Sequence, residues 1–270
     1  MANRRSTKWR SQQSKASLLA ECPLCIFCGG SQFATTQEHC PPRHFFENRH
    51  SPQGFVFSSC ATCNKGSSDN DQIFSVFAGI RMTASSAEWR SKVDKLRRHL
   101  RHEAWEGLVE EMEIGFRDRQ FMAMKVGRPS LEDMIGDLKV IRVPKIAEQS
   151  FRAVGKKLLK GVFYKETGQI FPAEGELVVH IYPNYDILFS ESQSLQLIAQ
   201  RIPGATLPVT AQSRDLSSQF KIRLSIAEDA SIINVIAFFS DCVALSIWGF
   251  ADPGLIEKHD LQWFVEEEGE

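Results

Sequence analysis

The sequence predicts an α+β fold in which a small cysteine-rich unit, a helical segment and a mainly antiparallel β-sheet region follow one another. Three observations carry this. Cysteines spaced C-x-x-C crowd the first quarter of the chain, apolar residues recur at helical spacing through the middle, and β-branched and aromatic runs fill the last part. The first pattern implies a unit held by metal, the second amphipathic helices, the third strands. With 270 residues the chain exceeds the roughly 150 of a typical domain, so more than one unit is expected.

Taken in order, residues 1–20 (MANRRSTKWRSQQSKASLLA) hold Arg4, Arg5, Lys8, Arg10 and Lys15 without an acid, too polar a stretch to bury a core, and are expected to be a basic flexible arm. The far end carries the opposite sign, with Glu266, Glu267, Glu268 and Glu270. A formal net charge of −1 gives no whole-chain signature for nucleic acid, so any attraction to an anionic partner rests on local clusters. No apolar run approaches the ~20 residues that cross a bilayer, and the basic start lacks the apolar stretch of a signal peptide. A cytoplasmic protein with no membrane partner is the expectation.

Residues 21–82 form the expected cysteine-held domain. Seven cysteines stand at 22, 25, 28, 40, 60, 63 and 242, and close pairs in a cytosolic chain point to metal rather than disulfides. In CIFCGG (25–30) a two-residue spacer lets two thiolates converge on one ion, and the glycines free backbone N–H groups to reach sulfur. CATCN (60–64) repeats the device, so Cys25, Cys28, Cys60 and Cys63 can complete a closed tetrahedral site, with zinc the default for four thiolates. CPLC makes Cys22 a spare or alternative ligand.

Closing that site brings Glu38, His39 and Asn64 into one neighbourhood, since Glu38-His39 lies between the pairs and Asn64 follows the second. A carboxylate and an amide carbonyl suit a hard cation such as Mg2+ or Mn2+, leaving His39 as a base for phosphodiester hydrolysis. Asp69 and Asp71 read as helix caps and dipole partners, and His44 and His50 as exposed loop histidines.

The order C-x-x-C, Glu-His-x-Pro-Pro, C-x-x-C-Asn, then a Ser/Asp-rich helix start resembles the HNH endonucleases with a ββα-metal fold, in particular their zinc-stapled, endonuclease VII-like branch. The likeness spans about Cys25 to Phe77. It implies a metal-dependent nuclease acting on nucleic acid, DNA first, with His39 as general base and Glu38 and Asn64 on a catalytic divalent ion. Two departures stand out: Phe55 occupies the position of the family's middle asparagine, and Glu38 is one methylene longer than the commoner Asp. EHCPP and SSDNDQIF also resemble the Glu-His-Val-Pro-Pro and Ser-x-Asp-Glu-x-x-Phe wording of largely uncharacterised HNH-like proteins. The alternative is a non-catalytic zinc-stapled module of the same fold that binds nucleic acid or protein. A thiol redox protein built on CPLC would need a thioredoxin-like βαβ context, which the surroundings of Cys22 lack.

After the second cysteine pair, Ile73, Phe74 and Phe77 recur at helical spacing and predict a closing helix. Residues 83–160 form a helical segment: Trp89, Val93, Leu96, Leu100, Trp105, Leu108 and Met112 mark long helices to about residue 120, one with a basic side (Arg90, Lys92, Lys95, Arg97, Arg98, Arg101), and a further helix runs from Pro144 to an expected end at Gly161. The α+β region 161–270, whose role the sequence does not assign, holds strands at 177–183, 220–227, 233–240 and 242–250.

Overall fold

Ser14 caps the first described helix, its Oγ accepting from the Ser17 N–H at 3.2 Å. A computed structural model describes residues 14–79, 143–183, 214–240 and 243–255, with short pieces at 91, 94, 98, 205–207 and 210–211. The arm before residue 14, the acidic tail, Cys242 and most of the helices expected between 83 and 120 lie outside the described residues. Helix α1 (Lys15–Glu21) claims the end of the expected arm. Its Leu18 is buried, and Ser58 Oγ donates to the Leu18 carbonyl at 3.3 Å, so contact with the neighbouring strand orders what composition alone would leave loose.

Strands β1 (Thr36–His39) and β2 (Val56–Ser59) pair antiparallel, with Glu38 opposite Phe57 and His39 opposite Val56. Two short helices follow, α2 (Ala61–Gly66) and α3 (Ser68–Phe77), the second burying Ile73, Phe74, Val76 and Phe77. This is a ββα unit. Beyond it runs α4 (Lys145–Thr167). Gly161 does not end α4; a Cβ there would lie 2.6 Å from the Phe57 ring, so the glycine marks a close approach of helix to hairpin, and Gly168, at φ +74°, is the cap.

Strands β3 (Glu176–Pro183), β4 (Ala205–Leu207), β7 (Phe220–Ile226), β8 (Ile232–Phe239) and β9 (Val243–Phe250) form an antiparallel sheet in the order β3-β9-β8-β7-β4, while β5 (Thr210–Ala211) and β6 (Arg214–Asp215) pair separately. The long strands fall where the sequence predicts them, and the α+β class holds. Helix α4 is the middle layer: Gly155 presses on Val179 and Ile247 of the sheet, while Gly161 faces the hairpin. One buried cluster runs through both layers, and edge-on phenylalanines tie them together. Phe45 stacks on Phe239 at 5.4 Å and Phe55 on Phe220 at 5.5 Å between ring centroids. Among the described residues no helix is long and apolar enough to cross a membrane.

Candidate functional site

The knuckle at 25–30 turns through Gly29 and Gly30 at φ +66° and +79°, a conformation that favours glycine. Here the Gly30 N–H donates to the Cys25 carbonyl at 2.9 Å rather than to sulfur. At the second knuckle the Cys63 N–H does reach sulfur, donating to Cys60 Sγ at 3.4 Å at the start of α2. The four Sγ atoms of Cys25, Cys28, Cys60 and Cys63 lie within 4.8 Å of one another, and all four thiols are free of disulfides. Tetrahedral zinc thiolates at about 2.3 Å require sulfurs to converge in this way, so the cluster is compatible with a structural zinc. Cys22 stands outside it: its thiol donates to the Leu24 carbonyl at 3.3 Å. In the thiol state burial raises Cys25, whereas on Cys28 burial is outweighed by hydrogen bonds from Ser31 and Cys25 that bring it down to about 7.

On β1 the alternation of a strand separates two neighbours. Glu38 points inward and is 4% exposed; His39 is only partly covered. Glu38 Oε2 accepts from Ser59 Oγ at 3.1 Å, Oε1 accepts from Ser67 Oγ at 3.0 Å, and the carboxylate forms an ion pair with Lys157 of α4. The Lys157 ammonium also sits 5.3 Å from the centre of the Phe27 ring. Burial, partly offset by Cys25, pulls Lys157 down to about 7, but a carboxylate in direct contact favours the charged form, and the pair is an ammonium–carboxylate pair.

For His39, burial and then the nearby Arg43 charge lower the imidazole to about 4, so it is neutral at pH 7. Asn64, in the first turn of α2, donates from Nδ2 to the Gln37 carbonyl at 3.0 Å and to Thr36 Oγ1 at 2.9 Å. A carbonyl can only accept, so nitrogen faces β1 and Asn64 keeps its own carbonyl oxygen for a further partner. Phe55, where the resembling family carries its middle asparagine, is buried; its backbone carbonyl takes the Cys40 N–H at 3.1 Å, so main chain holds this loop.

The fold sets Asn64 against β1 and links it to Glu38 through Ser67, whose Oγ also donates to the Asn64 main-chain carbonyl at 2.9 Å, while His39 lies on the other face of the strand; it also adds residues that carry no motif in the sequence. Ser59 and Ser67 carry no motif of their own, and Lys157 lies on a helix that the sequence marks only by Pro144 at its start and Gly161 at its expected end. Asp71 differs from the expected cap: α3 has no side-chain cap bond, and burial pushes the Asp71 carboxyl up to about 7 against a hydrogen bond from Ser67. Asp69 is exposed in the same first turn, His44 is exposed with its ring 3.2 Å from the Gln72 amide, and His50 is partly covered.

The divalent ion that the resemblance implies asks for oxygens with room for phosphate and water beside them. Asn64 offers one; Glu38, sealed between two hydroxyls and an ammonium, does not fit that role in this arrangement. Comparison of the chain with protein-family models, with curated proteins and with solved structures gives no match.

Proposed function

We propose that the ββα unit is an HNH-type phosphodiesterase site acting on nucleic acid, DNA first, with zinc on Cys25, Cys28, Cys60 and Cys63 and with His39 as proton acceptor. The observation that supports the reading is His39 itself: a neutral imidazole at the end of β1, partly open, on the strand whose Gln37 carbonyl takes the Asn64 amide from the helix that starts at Cys60. A general base has to be unprotonated and within reach of its water. At about 4 this imidazole is a weak base in the free protein. Anionic phosphate arriving beside it would favour the protonated form and raise its basicity when substrate is bound. Arg43, exposed and close enough to His39 to depress it, supports the reading by giving such a phosphate a cation to meet. Glu38 takes no part in holding a divalent ion here, since Lys157, Ser59 and Ser67 already engage it.

The test is nicking of supercoiled plasmid by wild type and His39→Ala in Mg2+, in Mn2+ and in EDTA. The expected result is nicking by wild type and a loss of about 100-fold or more in the variant, with zinc content and circular dichroism unchanged. Equal nicking by both proteins would remove His39 from the mechanism. A second reading, the non-catalytic module, is favoured by the sealed carboxylate; retention of DNA or of a protein ligand without cleavage in any metal condition would support it.

A further inference from the structure

The Glu38 carboxylate is buried on the face of the hairpin that meets α4, and its charge has to be balanced there. The balancing group is already part of the chain. Lys157 is 13% exposed and projects from a helix whose neighbouring residues Val154 and Leu158 are core. Its ammonium contacts Glu38 on one side and lies over the Phe27 ring on the other. The approach that makes this reach possible is itself encoded: Gly161, one turn further along α4, lets the helix close onto Phe57, and Phe57 is the cross-strand partner of Glu38. The two serine hydroxyls complete the shell around the carboxylate.

We propose that Lys157 is the resident cation of this corner, standing where the resemblance to HNH nucleases would place a divalent ion. Glu38 and Lys157 then form a pair between β1 and α4, and the wild-type carboxylate does not take up a second cation. A buried pair of this kind is tolerated because each charge offsets the other, and losing either leaves an uncompensated charge. Lysine suits the task as a compact charge on a long stem delivered from a rigid helix. The inference concerns cation occupancy alone and holds whether or not the corner turns over substrate.

The experiment is a Mn2+ titration of zinc-loaded full-length protein, followed by the electron paramagnetic resonance of free Mn2+, on wild type, Glu38→Gln, Lys157→Met and the double variant. Wild type and Glu38→Gln should give superimposable curves. Lys157→Met should gain one site at least tenfold tighter than any in wild type, and adding Glu38→Gln should abolish it. A wild-type site removed by Glu38→Gln, or a folded Lys157→Met that gains none, would overturn the proposal. Should either single variant fail to fold, judged by zinc content and circular dichroism, the comparison of wild type with the charge-neutral double variant still decides: superimposable curves support the proposal, and a wild-type site lost in the double variant overturns it. Lys157→Arg, which keeps the charge, should fold and resemble wild type. Because the readout is binding, failure of the nicking assay and failure of this inference are separate results.

Discussion

The β1–β2 hairpin and the β7–β8–β9 ladder are both antiparallel, yet they are held by different means. The hairpin pairs only four residues on each strand, whereas β8 and β9 pair eight and bury nearly all of them. The ladder brings enough apolar area of its own to the buried cluster that it shares with the rest of the fold. The hairpin does not: it draws on a four-cysteine cluster at one end, α1 on one face and α4 on the other. The comparison teaches that the polar, chemically capable residues sit on the smaller structure, where external supports replace the core and leave room for carboxylate, imidazole and amide.

The largest effect should come from breaking the support that only the hairpin uses. Cys60→Ser, or chelation, should release the metal and strip residues 25–77 of hydrogen-exchange protection while β8 and β9 retain theirs, since structural zinc binding is coupled to folding. Equal loss in both regions would show that they unfold as one. Next, Phe239→Ala removes the ring that meets Phe45, Phe74 and Phe220 and should cost about 3–5 kcal/mol by urea unfolding, felt in both regions at once. Gly161→Ala would place a Cβ 2.6 Å from the Phe57 ring; the overpacking cost of about 1–3 kcal/mol should exceed the ~1 kcal/mol that alanine gains in helix propensity. A neutral or stabilised variant would mean that helix and hairpin are not pressed together there.

Two smaller effects sharpen the comparison through pH. Asp71 is raised from 3.8 to about 7 in the folded state, so the fold holds its proton more tightly than the unfolded chain does. Its contribution is therefore fully favourable below about pH 4, falls as pH rises towards 7 and is flat above. Asp71→Asn should remove that slope, read as the urea midpoint at pH 5 against pH 8. His39 is displaced the other way, from 6.5 to about 4, so its contribution to stability is present above pH 6.5 and is lost as pH falls towards 4. In an NMR titration its imidazole signals should move near pH 4, and a midpoint near 6.5 would show it to be solvated.

How much of this was legible in the sequence depends on distance along the chain. The cysteine cluster and the long strands follow from local spacing and alternation, and both stand where those patterns put them. Gly161 was misread because a glycine at a helix end and a glycine against a neighbouring ring look identical without the neighbour. The shell around Glu38 was out of reach for the same reason: Ser59 lies 21 residues away and Ser67 29, while Lys157 comes from a distant helix with no motif around it. Asp71 looked like a cap because its place in the first turn is local, while its burial is tertiary.

Helix α4 addresses the hairpin through a row of lysines. Besides Lys157, Lys160 donates to the Phe27 carbonyl at 2.8 Å, a partner 133 residues away, and Lys165 to the Gly54 carbonyl at 3.0 Å, 111 residues away. This spacing has a meaning in time. At a synthesis rate of about 5–20 residues per second, the interval between Cys63 and Lys157 leaving the ribosome is on the order of ten seconds. The Lys157 ammonium thus reaches Glu38 only after the whole ββα segment has left the ribosome, so this contact is closed late in synthesis.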